Sequence, residues 1–238
     1  MKRKFWHLAL FAITVTLMSC TKEPIVKEIS YSVLGDSFST FEGYVSPSTN
    51  DVWYKLPPNN YINVTSVNQT WWHQVQDTMD WKLDRNNSFS GSVLCNYDTT
   101  NYYGPHSFIR RANDLGNPDV IFVFGGTNDL WQNAPPGNYQ YGGWTDDDLC
   151  EFRPGLAYLC QTLKQTYPSA AIYFLIDMEL GAEIVDSFHT VAAHYQVHYV
   201  DLFDISKEWR HPNAEGMKSI ATQTIRAVRE QFNAENGI

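Results

Sequence analysis

Short apolar runs alternate along the chain with segments of helical periodicity. The clearest run, residues 119–124, is continuously apolar after its first residue, as expected for a parallel strand covered on both faces. Shorter runs predict strands at 29–34, 81–85, 171–176 and 198–202. Segments between them predict helices at 70–79, 105–115, 146–166, 181–195 and 212–232. This alternation predicts one α/β domain with a mostly parallel sheet and right-handed crossovers.

One long segment, residues 38–70, shows neither periodicity and is rich in Tyr, Trp, Pro and Asn. A loop of this length in a compact domain is usually functional or packed on itself. Because it begins directly after Ser37, we expect it to lie over the mouth of any site there. The aromatic residues in and after it either stack on sugar rings or form a small core of their own: Trp53, Tyr54, Tyr61, Trp71 and Trp72.

The N-terminus is patterned as an export signal. Basic residues at positions 2–4 precede a mostly apolar stretch, residues 5–18, that is too short to span a bilayer comfortably. The stretch ends Leu17-Met18-Ser19-Cys20, which resembles the lipobox of bacterial lipoproteins and implies cleavage before a lipid-modified Cys20. An ordinary secretory signal and an anchor helix are the alternatives. We expect a signal peptide at 1–19, a lipidated tether at 20–28 and one domain at 29–238, held in the bacterial cell envelope outside the cytoplasmic membrane.

The net charge argues against binding to nucleic acid or an anionic membrane surface, and the cysteine spacing argues against a zinc site. The chain has 238 residues, and without the three basic residues of the predicted signal it carries 14 basic and 26 acidic ones, a net charge of −12. No basic cluster offers a footprint to nucleic acid or to an anionic membrane surface, so the lipid on Cys20 is the expected membrane contact. Cys95, Cys150 and Cys160 lack zinc spacing and are interpreted as buried thiols, with a disulfide at Cys95 as the alternative. We expect no metal and no cofactor.

Polar residues capable of chemistry follow four of the predicted strands. Ser37 ends a Gly-Asp-Ser tripeptide after the first strand, Gly91 and Asn128 follow two others, and His211 lies beyond the last. Because the carboxyl ends of parallel strands share one edge of a sheet, we expect these segments to converge. A serine hydroxyl is a weak nucleophile at neutral pH and needs a positioned base, which histidine supplies. The alternative interpretation is a turn serine, a turn glycine and a helix-capping asparagine.

In order, these segments resemble the four sequence blocks of the SGNH (GDSL-type) hydrolase superfamily. Gly35-Asp36-Ser37 is similar to the first block, Gly91 to the second, Gly126-Thr127-Asn128-Asp129 to the third, and His211 with Pro212-Asn213 to the last. The resemblance implies a flavodoxin-like three-layer α/β/α sandwich and ester hydrolysis. It also implies Ser37 as nucleophile, His211 as base, and an oxyanion hole made by the backbone N–H groups of Ser37 and Gly91 and the side-chain amide of Asn128.

The last block departs from the family pattern at the position of the acid. The family has Asp-x-x-His, whereas this chain has Glu208-Trp209-Arg210-His211. Glu208 is one methylene longer than Asp, and it either reaches the imidazole or is a solvated surface carboxylate. Asp204 is a weaker candidate, and a backbone carbonyl in place of an acid would make the site a Ser–His dyad. The predicted catalytic residues are therefore Ser37, His211 and Glu208, with the third position open.

The predicted function is that of a serine ester hydrolase, a carbohydrate or small-acyl esterase such as a deacetylase, acting on a small-molecule or glycan ester. A phospholipase or thioesterase of the same superfamily is one alternative, and it would prefer long acyl chains. A catalytically silent glycan-binding lipoprotein is the other, because the Glu at position 208 leaves catalysis open. No second glycine follows Ser37 as the Gly-x-Ser-x-Gly elbow requires, which argues against the α/β-hydrolase fold.

Overall fold

A sheet of five parallel strands forms the centre of the protein. In a computed structural model that describes residues 28–97, 102 and 104–236, the strands are β1 (Ser30–Gly35), β2 (Lys82–Ser88), β3 (Val120–Phe124), β4 (Ala171–Asp177) and β5 (His198–Leu202). Their order is β2-β1-β3-β4-β5, and every neighbouring pair is parallel. The strand β2 runs three residues beyond its predicted end, because it pairs with β1 until Ser88 lies opposite Gly35.

Helices cover both faces of this sheet. They are α1 (Trp71–Met79), α2 (Phe108–Arg111), α3 (Thr127–Gln132), α4 (Phe152–Thr166), α5 (Ala182–Tyr195) and α6 (Ala214–Asn236). Successive residues of a strand point to opposite faces, so Ile121 and Val123 pack with α4 and α5, whereas Phe122 and Phe124 pack with α1 and α6. The predicted three-layer α/β/α sandwich with a flavodoxin-like strand order is thereby confirmed.

Two helices begin three or more residues later than the sequence predicted, α2 at Phe108 and α4 at Phe152. The helix α2 starts after Ser107, whose hydroxyl accepts a hydrogen bond from the backbone N–H of Arg110. Residues 148–150 form a separate turn ahead of α4, where the Asp148 carboxylate accepts from the backbone N–H and the hydroxyl of Thr145. The start of α2 is set by this capping bond, whereas α4 begins at Phe152 without a side-chain cap, after the separate turn has ended.

The sequence did not predict one short hairpin that matters for the site. Strands β6 (Lys207–Glu208) and β7 (His211–Pro212) pair antiparallel, with Glu208 opposite His211. Two-residue strands contain too few positions to show a period-2 pattern, so they cannot be predicted from the alternation of apolar and polar residues.

The long loop after Ser37 is packed rather than open. Tyr54, Trp71 and Trp72 are buried in the same core as α1 and α6, which confirms the packing interpretation for these three rings. Trp53 is half-buried, and Tyr61 is 60% exposed.

The predicted signal peptide and Cys20 lie outside the described residues, so the signal, the lipid anchor and the envelope location stay predictions. Over the described ranges, no helix has both the length and the apolar character needed to cross a membrane.

Candidate active site

Ser37 occupies the turn that leaves the carboxyl end of β1. The Asp36 carboxylate caps this turn by accepting a hydrogen bond from the backbone N–H of Phe38 at 2.9 Å. At Gly35 there is no room for a side chain, since a Cβ there would lie 2.6 Å from the Cβ of Ser39 and 2.7 Å from the Oγ of Ser88. The Gly-Asp-Ser tripeptide therefore packs the strand end tightly and presents the Ser37 hydroxyl at the sheet edge.

The hairpin of β6 and β7 brings His211 to this hydroxyl. The Nε2 atom of His211 lies 2.9 Å from the Oγ of Ser37, although the two residues are 174 positions apart. Trp209 and Arg210 form the two-residue turn, both with positive φ (49° and 65°), as a type I′ hairpin turn requires. Non-glycine residues in this region are strained, and such strain is concentrated at functional sites.

The hydrogen bond of Nδ1, the second ring nitrogen of His211, determines the tautomer of the imidazole. Its Nδ1 atom lies 2.9 Å from the backbone carbonyl oxygen of Trp209. A carbonyl oxygen can only accept, so Nδ1 carries the hydrogen and the Nε2 lone pair faces Ser37. The pKa of His211 is lowered from 6.5 to about 4, chiefly by burial and also by the nearby Arg210 charge, while the bond to Trp209 opposes the change. The ring is therefore a neutral base at neutral pH.

Glu208 is not placed where the sequence analysis expected an orienting acid. Its side chain is exposed, and the described hydrogen bonds of His211 go to Ser37 and to the Trp209 carbonyl. The acceptor for Nδ1 is therefore one residue later in the chain than expected. The tight turn points the backbone carbonyl of Trp209 at Nδ1, and the Glu208 carboxylate does not face the ring. Asp204, the other acid considered, is also exposed and has no described hydrogen bond to the ring.

Asn128 joins the segment of Ser37 to the segment of Gly91, because it contacts the residue before the serine and the residue after the glycine. Gly91 has φ +82°, a conformation that favours glycine, and it directly precedes Ser92. The side-chain amide of Asn128, in the first turn of α3, donates to the backbone carbonyl of Ser92 at 3.0 Å and lies 3.4 Å from the Asp36 carboxylate. The structure thus brings all three predicted oxyanion residues, Ser37, Gly91 and Asn128, to one edge.

Buried charges hold the Gly91 and Asn128 side of the site. Asp129 accepts hydrogen bonds from the backbone N–H groups of Leu94 (2.8 Å) and Cys95 (3.2 Å), which ties the segment after Gly91 to α3. Burial is also the main cause that raises the pKa of Asp129, and it raises the pKa of Asp36 to about 7.

Arg111 completes this buried network. Its guanidinium donates to the backbone carbonyls of Gly35 (3.1 Å) and His106 (2.7 Å) and to the Ser92 hydroxyl (2.8 Å), so the turns before Ser37 and after Gly91 share one partner. Burial lowers the pKa of Arg111 to about 9, which leaves it charged at neutral pH. The sequence analysis missed Arg111, because it belongs to none of the motif blocks.

Aromatic rings hold the His211 side of the site. The indole of Trp53 stacks on the imidazole, with ring centroids 3.7 Å apart and an interplanar angle of 7°. Phe38 and Trp131 meet the ring edge-on at 5.3 and 6.1 Å. Trp131 and Trp209 were also missed by the sequence analysis, and adjacency to Asn128 and His211 was the only signal they carried.

A small cavity adjoins these residues. It has a volume of about 200 Å³, and its lining includes Phe38, Thr127 and Arg210, the sequence neighbours of Ser37, Asn128 and His211. Its far wall is charged, because Lys207 pairs there with Asp177 (2.7 Å) and Glu179 (2.6 Å). The remaining lining residues, Leu130, Trp131 and Leu180, are apolar, so the cavity is small and of mixed character.

Cysteines and metal-ligating residues form no centre in the described part of the chain. Cys95, Cys150 and Cys160 are free thiols; Cys95 and Cys160 are buried as predicted, whereas Cys150 is half-buried and the prediction of burial is wrong there. Among residues 28–97, 102 and 104–236, no group of three His, Cys, Asp or Glu side chains is arranged to hold a metal ion.

Strand order 2-1-3-4-5 and a serine–histidine pair at its carboxyl edge define a hydrolase of the flavodoxin-like α/β class. A family model described as GDSL-like lipase/acylhydrolase matches residues 29–228. The chain belongs to this family, and so to the SGNH (GDSL-type) hydrolase superfamily, as the sequence blocks predicted. It is therefore a hydrolase of the esterase or lipase kind.

Solved structures give the same picture. A GDSL-like lipase from Bacteroides uniformis is 45% identical, with 85% of this chain and 96% of that one covered and a TM-score of 0.82. A second from Bacteroides ovatus is 43% identical over 86% of this chain and 100% of that one, with a TM-score of 0.83. A family two carbohydrate esterase from Clostridium thermocellum, solved with cellohexaose, shares the fold at 15% identity, a TM-score of 0.60, and 87% and 65% coverage of the two chains. No curated protein matches the chain.

Proposed function

We propose that this protein is a serine esterase that removes small acyl groups, acetyl first among them, from a hydroxyl-rich alcohol such as a carbohydrate. The observation that carries the proposal is the 2.9 Å contact between the Ser37 Oγ and a His211 whose Nε2 lone pair faces it. Ser37 and His211 are the proposed catalytic residues, and the Trp209 carbonyl takes the place of the acid that was expected at Glu208.

In the proposed mechanism His211 acts as general base and then as general acid. Its Nε2 takes the proton of Ser37 while the Oγ attacks the acyl carbon, and the resulting oxyanion is held by the backbone N–H groups of Ser37 and Gly91 and the amide of Asn128. The same Nε2 then protonates the departing alkoxide, which leaves an acyl-serine. Water, deprotonated by His211, attacks the acyl carbon, and Ser37 regains its proton as the acid leaves.

Two features favour a small acyl group on a sugar over a lipid. The adjoining cavity is small and has a charged wall formed by Asp177, Glu179 and Lys207, which suits hydroxyl groups. Trp209, beside His211, is 76% exposed and has no ring contact within the described residues, so its face is open at the rim. Exposed aromatic rings beside a polar pocket are suited to the apolar face of a sugar ring.

The location of the protein is part of the proposal. We infer that Cys20 carries lipid after cleavage of residues 1–19 and tethers the domain outside the cytoplasmic membrane of a bacterium, where glycan esters are accessible. Labelling with a radioactive fatty acid tests this inference, and a Cys20→Ala variant that still takes up the label would contradict it.

The decisive experiment is hydrolysis of p-nitrophenyl esters by the wild type and Ser37→Ala. We expect Ser37→Ala to lower kcat by roughly 10⁴-fold or more, since the nucleophile is lost. Ser48→Ala, which removes an exposed serine from the loop, is the matched control and should leave kcat unchanged. Equal rates for wild type and Ser37→Ala would favour the silent glycan-binding alternative.

A chain-length series decides between the remaining alternatives. With acyl groups from acetyl to palmitoyl, we expect kcat/KM to be highest for the shortest chains and to fall as the chain outgrows the cavity. A preference for long chains would instead support the phospholipase or thioesterase alternative.

A further inference from the structure

The imidazole of His211 has one face covered by an indole. Trp53 lies parallel to the ring at 3.7 Å, and Tyr61 lies against the indole with its centroid at 5.4 Å and a tilt of 34°. The indole is thus placed between two rings, which argues against the expectation that Trp53 stacks on a sugar. Its Nε1 atom is buried without a described hydrogen-bond partner, so stacking rather than a polar contact determines its position.

The chain holds this indole through bonds that do not involve its side chain. The backbone N–H of Trp53 donates to the Oγ1 of Thr40 at 2.9 Å, and the Thr40 hydroxyl in turn donates to the carbonyl of Ser37 at 3.0 Å. The next residue, Tyr54, donates its hydroxyl to the carbonyl of Pro212 at 2.8 Å, directly after His211. The stacked pair is therefore anchored on both sides, to the serine turn and to β7.

His211 has an unusual electrostatic task if the proposed function holds. The ring becomes a cation when it takes the proton of Ser37, but its Nδ1 bonds to a neutral carbonyl rather than to a carboxylate. Of the charged residues on the surrounding elements, Arg210 repels that cation, Asp36 is already bonded to the N–H of Phe38, and Glu208 is exposed. The electron-rich face of an indole attracts a cation within about 6 Å of its centroid, most strongly among the aromatic side chains.

We propose that Trp53 is a positioning residue that fixes the His211 ring and stabilises its protonated form through the stacked indole face. It supplies the charge stabilisation that a carboxylate gives in a Ser–His–Asp site, while the Trp209 carbonyl sets the tautomer. This inference rests on the proposed esterase function. It assigns to the loop after Ser37 a part in the chemical step, separate from substrate binding.

The test compares Trp53→Phe and Trp53→Leu with the wild type on p-nitrophenyl acetate. Phe keeps a weaker aromatic face, and Leu covers the imidazole with no such face. We expect kcat to fall about threefold for Trp53→Phe and about tenfold for Trp53→Leu, with KM unchanged within about twofold. A graded loss in kcat is expected from cation stabilisation but also from loss of packing, so the pKa titration of His211 described below is needed to separate the two.

Tyr44→Leu is the matched control, because Tyr44 is an aromatic residue of the same loop that packs on Phe41 and Trp72 and not on His211. Its kcat should equal that of the wild type. Equal losses for Trp53→Phe and Trp53→Leu, or a change confined to KM, would overturn the proposal. An increase in KM seen only with an acetylated sugar would show that Trp53 binds substrate instead.

A second readout does not depend on activity. Proton NMR titration of His211 should give a lower pKa in Trp53→Leu than in the wild type, by about one pH unit, since the cation loses its aromatic partner. An unchanged or higher pKa would contradict the inference. If the wild type hydrolyses no ester, the proposed function fails, but this titration still decides whether the indole stabilises the imidazolium.

Discussion

The two sides of the candidate site are held by different interactions, buried hydrogen-bonded charges on one side and aromatic contacts on the other. On the Gly91 and Asn128 side, buried charges are satisfied by backbone groups, as with Asp129 and the N–H groups of Leu94 and Cys95. On the His211 side, aromatic rings surround the imidazole and a single carbonyl orients it.

This difference predicts different responses to mutation. A buried hydrogen-bonding group that loses its partner costs the full desolvation free energy. Single substitutions on the polar side should therefore cause large losses of activity or stability. Ring contacts are less directional and weaken in proportion to the surface removed, so the aromatic side should respond gradually. Substitutions on the His211 side should therefore change activity in small steps, whereas substitutions on the Asn128 side should cause large losses.

The largest effect is expected from Asn128→Ala on the polar side. If the amide of Asn128 stabilises the oxyanion, its removal should lower kcat by about 10²–10³-fold with little change in KM, the usual result for one lost donor. The control is Asn138→Ala, at an exposed asparagine. A loss smaller than about fivefold would exclude Asn128 from the proposed oxyanion hole.

The next effect is on stability, from Asp129→Asn. The amide that replaces the carboxylate brings an NH2 group towards the N–H donors of Leu94 and Cys95, so at least one donor is left unsatisfied. We expect the free energy of unfolding in urea to fall by about 3 kcal/mol. Asp146→Asn, at an exposed aspartate, should change it little, and a similar result for both variants would show that the buried bonds contribute no more than a surface charge.

The aromatic side can be examined through the pH dependence of activity. Because burial lowers the pKa of His211 to about 4, kcat/KM should stay level above about pH 5 and be half-maximal near pH 4. An acid limb near pH 6.5 would show that the ring is solvated during turnover. Between about pH 4 and 6.5 the unfolded chain binds this proton more strongly than the folded chain, so the His211 contribution to stability should rise with pH across that window.

The smallest effect is expected from Glu208→Gln. The carboxylate is exposed and makes no described bond to His211, so kcat/KM should remain within about twofold of the wild type. A loss of tenfold or more would restore Glu208 as an orienting acid and would mean that the hairpin rearranges when substrate binds.

The meeting of Ser37, Asn128 and His211 near one edge of the sheet was predicted from the sequence, whereas Arg111 and the stacking of aromatic rings on His211 were not. Ser37 and Asn128 each follow a strand whose apolar run is visible in the sequence, whereas Gly91 follows the largely polar strand β2 and was identified from its motif block. The stacking of Trp53 on His211 joins residues 158 positions apart and depends on the path of an irregular loop. The acceptor for Nδ1 is a main-chain atom that no residue type indicates, so the nearest acid, Glu208, was predicted instead.

The turn at Trp209 and Arg210 has a consequence for anyone who maps this enzyme by mutagenesis. An alanine scan deletes side chains only, and the carbonyl that orients His211 survives every such change. A scan will therefore identify Ser37 and His211 as the catalytic pair but will find no acidic residue that orients the imidazole, because the group that accepts from Nδ1 is a backbone carbonyl. The contribution of the Trp209 carbonyl can be tested only by a substitution that changes the backbone conformation. Arg210→Pro is an example, because proline locks φ near −65°, which is incompatible with the observed +65°.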